Sequence, residues 1–176
     1  MDMETLLQLS ETSLKMGFGA LIAVLSSWLV MRRQQAQQLS PGNRRLEILE
    51  EVSANVGSVS HIFAKYSTLV VEALQIGEQW PAARKLELDA VNAELVAEFK
   101  KLAEAEAKLL MLGEKNLERS LRLYGARIAL FRKQVYVGRP DITQEQIAEL
   151  KQSILQVREQ FYDMLSRKYD RLLASV

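Results

Sequence analysis

Three prolines divide the chain, and proline is tolerated in the first turn of a helix but not in its interior. Pro41 stands in Ser-Pro-Gly-Asn, Pro81 follows Gly77-Glu-Gln-Trp80, and Pro140 stands in Gly138-Arg-Pro-Asp. Gly42, Gly77, Gly113 and Gly138 fall at the same boundaries, where glycine commonly ends a helix. Between the breaks the apolar residues recur every three or four positions. Leu49, Val52, Val56, Val59, Phe63, Tyr66 and Val70 form one such stripe, and Leu88, Val91, Leu95, Leu102 and Leu109 a second. Leu117, Leu121, Tyr124, Ile128, Phe131 and Val135 form a third; Ile147, Leu150, Ile154, Val157, Phe161 and Met164 form a fourth. This is helical spacing, and no useful length alternates with period two, so an all-α fold is expected.

The breaks predict helices near 44–76, 81–112, 115–137 and 144–174, packed as an elongated antiparallel bundle. Thr143 with Gln146 three residues on is a capping box for the last helix. Gly113-Glu-Lys-Asn116 contains no proline; a turn there, with Asn116 as its cap, gives four helices, and its absence gives three, the middle one very long. Two heptad series of small residues, Ser53, Ser60 and Ser67 and then Ala83, Ala90 and Ala97, predict close approach of the first two helices.

Met16 to Met31 contain no charged side chain and are followed by Arg32-Arg33. Sixteen residues rise roughly 24 Å, and extension through Leu14 with Lys15 snorkelling approaches a full span of roughly 30 Å. Trp28 lies near one end, at the depth of lipid headgroups. A cleavable signal peptide wants a basic start, whereas this chain opens with Asp2, Glu4 and Glu11. The reading is therefore a short N-terminal segment (1–13), a single-pass transmembrane anchor (14–33), a linker (34–43) and a helical bundle (44–176). Arg32, Arg33, Arg44 and Arg45 flank one end of the anchor and only Lys15 the other. The positive-inside rule then predicts an inner (cytoplasmic) membrane protein with its C-terminal domain in the cytoplasm. Gly19, Ala23 and Ser27 share one face of the anchor and are the candidates for packing against a second anchor helix.

Charge is distributed in blocks. The net +1 conceals +4 over 32–45, −5 over 46–113 and +5 over 114–139. Arg119 and Arg122 share a helix face that Arg132 and Lys133 would extend, a basic surface able to meet anionic headgroups or a partner. The competing reading is intramolecular pairing with the acidic block. Arg32, Arg33, Arg44 and Arg45 are further candidates for lipid contact beside their topogenic role. A near-neutral total argues against nucleic-acid binding.

With no Cys and one His, disulfides, thiolate metal sites and multi-His centres are excluded. A carboxylate-bridged metal site in a bundle uses Glu-x-x-His on two helices, and the residue three before His61 is Ser58. There is neither a Gly-rich phosphate loop nor a nucleophile elbow. Paired acids such as Glu50 and Glu51, or Glu104 and Glu106, read as solvated helix faces. No catalytic residue, metal, cofactor or small-molecule substrate is expected. Trp80 and Tyr136 stand at turns, where they would close the bundle ends.

The run Lys108-Leu-Leu-Met-Leu-Gly-Glu-Lys-Asn-Leu117, between an Ala/Glu-rich helix and another helix, resembles a pattern in uncharacterised bacterial single-pass membrane proteins with a helical soluble domain. In that pattern a Ser or Asp often follows the glycine, where this chain has Glu114. The resemblance implies the architecture and no activity. The expected function is a membrane-anchored helical interaction or scaffold module, with a protein partner or a second copy bound through the bundle. The alternative is a structural envelope protein whose basic residues engage anionic lipid; a lysis-type spanning protein would need the opposite orientation.

Overall fold

A computed structural model of the protein describes residues 41–139 and 141–174. They form four helices and no strand: α1 (Pro41–Ile76), α2 (Ala82–Met111), α3 (Lys115–Gln134) and α4 (Gln144–Leu173), with a 3-10 turn at Gly77–Gln79. The predicted anchor at 14–33 lies outside the described residues, as do Gly19, Ala23, Ser27, Arg32 and Arg33. Among the described residues no helix is long and apolar enough to cross a membrane.

Each helix is the consequence of its stripe. Leu49, Val52, Val56, Val59, Phe63, Tyr66 and Val70 are all buried on α1, and the α3 series from Leu117 to Val135 is buried without exception. On α4, Ile147, Ile154, Val157 and Phe161 are buried, with Leu150 and Met164 half-buried at the margin. Residues three and four apart on a helix share a face, so each stripe gives one continuous apolar side that only another helix can cover.

Cross-helix partners fix the directions. Glu51 and Lys108 pair, as do Glu72 and Arg84, so α1 and α2 run antiparallel. Arg132 Nη2 donates to Asn92 Oδ1 at 2.8 Å, which sets α3 antiparallel to α2. Lys168 Nζ meets Glu114 Oε1 at 2.5 Å, which sets α4 antiparallel to α3. Tyr162 and Tyr169 donate to the Ser53 carbonyl and to Glu50 Oε1, closing α4 back onto α1. Phe63 of α1 and Phe131 of α3 meet edge to face across the core, with centroids 5.2 Å apart and planes at 86°. Such a pair contributes roughly 0.5–1.5 kcal/mol beyond its burial.

Gly113 forms a turn, so the bundle has four helices and not three. The Gly113 N–H donates to the Leu110 carbonyl at 3.0 Å and the Glu114 N–H to the Leu109 carbonyl at 2.9 Å. These are the two bonds of a Schellman motif, and they require a left-handed residue that glycine supplies at φ +76. Asn116 is not the cap expected of it: it lies inside α3, whose cap position is Glu114 without a side-chain bond. Nor does Gly42 end a helix; it sits in the first turn of α1, directly after Pro41. At α4 the capping box is present as expected. Gln146 N–H donates to Thr143 Oγ1 at 3.2 Å, and Thr143 N–H to Gln146 Oε1 at 3.0 Å.

The expected close approach of the first two helices does not occur. The tightest backbone packing is of α3 against α4 and of α2 against α3. Where α3 meets α2, Gly125 stands opposite Leu102 and Phe99. Ala83, Ala90 and Ala97 are all exposed. In the serine series, the Ser60 hydroxyl meets Tyr124 of α3 and the Ser67 hydroxyl donates to the Ala64 carbonyl of its own helix.

Candidate interaction surface

α2 is a helix with two apolar sides. Its core side is Leu88, Val91, Leu95, Leu102, Ala105 and Leu109. About half a turn away, Leu86, Ala90, Ala93, Ala97, Ala107 and Met111 face solvent. Of the alanines on this helix only Ala105 is buried, while Leu86 and Met111 are 71% and 84% exposed. Alanine suits an exposed helix position on propensity alone. The two large apolar side chains at either end of the series, left in water, are the departure from that background. Lys100 and Glu104 interrupt the face and approach each other at 3.8 Å, a weak, exposed i,i+4 pair.

The flank of α2 facing α1 is saturated with polar bonds. Glu72 Oε1 accepts from Trp80 Nε1 and from Arg84 Nε, each at 3.0 Å. Arg84 also pairs with Glu87. Hydrogen bonds from Arg84 first, then from Trp80, hold the Glu72 carboxyl below the usual carboxylate range. Further along, Ser58 donates to Glu98 at 2.6 Å and Lys101 pairs with Glu98 at 2.8 Å. This seam orients the outer face by clamping the helix from the side.

The basic residues do not come together as one surface. Arg45, Arg119 and Lys133 are exposed, as is Arg44 in the first turn of α1. Arg122 is exposed but pairs with the buried Glu118 at 3.5 Å, within α3 itself. Arg132 turns inward: its guanidinium carbon lies 5.9 Å from the Tyr66 ring centroid and its Nη2 bonds Asn92. Position 132 follows Ile128 by four and precedes Val135 by three, so it lies at the edge of the buried stripe, where an inward turn is open to it. Beside Glu118, burial first and the Glu118 charge second hold the Glu106 carboxyl above its usual range, with Arg122 opposing.

Trp80 is buried and closes its end of the bundle, whereas Tyr136 is half exposed. His61 is exposed, and among the described residues no three His, Cys, Asp or Glu side chains gather as metal ligands would. The outer face of α2 was the feature missed from sequence. Its signal was a second 3-4 spaced series (Leu86, Ala90, Ala93, Ala97) on a helix that already had one.

The fold defines an all-α four-helix bundle with short connections. Comparison with family models, with curated proteins and with solved structures finds no match for the chain.

Proposed function

We propose that the protein is a membrane-anchored helical interaction module: residues 14–33 hold it in the inner membrane, and the bundle offers the outer face of α2 to a protein partner, a second copy included. The observation that supports this most is the solvent-facing series Leu86, Ala93, Ala97 and Met111 on a helix whose opposite side is already packed. An apolar face bordered by charged residues is the usual anatomy of a docking helix. No catalysis is assigned to it. The flanking arginines orient the C-terminal domain toward the cytoplasm.

The reading is tested by chemical crosslinking and pull-down of the full chain from membranes, with Ala93→Glu and Ala97→Glu as variants. Both should abolish partner recovery while the chain stays in the pellet after alkaline extraction. Release of the unaltered chain by alkali would sink the anchor, and recovery indifferent to both substitutions would sink the docking face. The lipid-engaging alternative keeps Arg45, Arg119 and Lys133 but loses Arg132 to the Tyr66 and Asn92 contacts.

A further inference from the structure

The outer face of α2 carries a regular seam. Ala93, Ala97, Lys100, Glu104, Ala107 and Met111 step alternately by four and three, and all are exposed. Leu86 and Ala90 continue the series upstream in the same rhythm. This alternation is the spacing of the two facing positions of a coiled-coil heptad. Val96, Ala103 and Leu110 run beside the seam at intervals of seven, and they too face solvent. Large apolar side chains repeated along one exposed helix face are the mark of a surface that meets another helix.

The seam holds two charges of opposite sign. Lys100 and Glu104 approach each other at 3.8 Å, with 82% and 50% of their side chains exposed. Such an i,i+4 pair contributes little and can exchange partners at small cost. A second α2 laid parallel and in register would set Lys100 against the partner's Lys100 and Glu104 against the partner's Glu104. A second α2 laid antiparallel, about a two-fold axis between the two residues, sets each lysine against the opposite glutamate. The order of charge on this face is complementary to itself in one direction only.

We propose that the occupant of this face is a second copy of the chain, its α2 antiparallel to the first, with Ala93–Met111 of each helix in the overlap. The proposal rests on the reading that the outer face of α2 is the docking surface, and it names the partner. A two-fold interface is isologous, so one pairing fixes the rest. With Lys100 against the partner's Glu104, Ala97 meets the partner's Ala107 and Ala93 meets the partner's Met111. Val96 comes to the partner's Leu110, and Ala103 stands near the axis opposite the partner's Ala103. Apolar meets apolar and charge meets opposite charge at each level. On the flank toward α1, Lys101 and Lys108 are already held by Glu98 and Glu51, and Glu94 comes level with the partner's Lys108. Leu86 lies about 10 Å past the overlap, toward the turn that follows the partner's Met111.

The chain has no cysteine, so introduced ones report without interference. The test uses the full chain in detergent, with Ala97→Cys and Ala107→Cys carrying different tags. Oxidation of the mixture should give the disulfide-linked heterodimer. Either variant alone should stay unlinked, because its two cysteines stand about 15 Å apart along an antiparallel pair, too far for a disulfide. Sedimentation equilibrium supplies the second readout. Lys100→Glu and Glu104→Lys should each weaken self-association at least about fivefold, and mixing the two variants should restore it. Linkage of either cysteine variant to itself in preference to the mixture would overturn the proposal, as would self-association unmoved by both charge reversals. A chain that stays monomeric would overturn it too, and capture from membranes then decides the underlying reading. Capture of another protein that A97E still abolishes would leave the docking face standing without the second copy; capture indifferent to A97E would remove both.

Discussion

The hydroxyls of Ser60 on α1 and Tyr124 on α3 lie 2.8 Å apart inside the bundle, with Tyr124 only 1% exposed. Ser60 has one proton and donates it to the Val56 carbonyl at 2.8 Å, so Tyr124 is the donor in the pair. Burial raises the Tyr124 hydroxyl above its ordinary pKa, which keeps it protonated for that role. The two truncations are therefore unequal. Tyr124→Phe leaves Ser60 still bonded to Val56 and should cost about 0.5–1.5 kcal/mol. Ser60→Ala strands a buried phenol and should cost more, about 1–3 kcal/mol. Urea unfolding of both variants checks the order, and a larger loss in Y124F would reverse the donor assignment.

Two carboxylates should respond to pH with opposite sign. The bonds from Arg84 and Trp80 depress Glu72, so the stability it contributes is present above the ordinary carboxylate range and is lost as pH falls through its folded value. Glu72→Gln should destabilise the bundle at neutral pH and cost little in acid. Glu106 is raised by burial and by Glu118, so its ionised form is the disfavoured one. Glu106→Gln should stabilise at neutral pH, and the gain should vanish once the pH falls below the unfolded pKa. Thermal melts of both variants between about pH 3 and 7.5 measure the two slopes.

Two glycines should respond to alanine in opposite ways. Gly113 holds φ +76 in the Schellman turn, so Gly113→Ala should cost about 1 kcal/mol and loosen the α2–α3 connection. Gly125 is helical, and a Cβ there would meet Leu102 Cδ1 at 3.4 Å, an ordinary contact. Gly125→Ala should gain up to about 1 kcal/mol from helix propensity, while Gly125→Leu should force α3 off α2. Denaturant midpoints of the three variants distinguish these effects.

Much of this architecture is legible in the residues. The α1 and α3 stripes are buried position by position, because a 3-4 apolar series on a helix has only one face to hide. The Thr143 and Gln146 cap was legible because both bonds are local. Pairing of helices was not. Ala83, Ala90 and Ala97 read equally as small residues for close approach and as good helix formers in water, and only the bundle decides between them. Gly125, which does face a neighbouring helix, sits inside a strongly basic helix and shows no heptad. Arg132 reads as a surface charge until Tyr66 and Asn92 are placed beside it.

The central claim, a bundle docking through the outer face of α2, is tested most directly by a photo-crosslinker placed in turn along the full chain in intact membranes. The predicted result is one partner captured from Leu86, Ala93, Ala97 and Ala107, and none from the exposed Gln152 and Glu159 of α4. Equal capture from both helices, or capture from α4 alone, would contradict it.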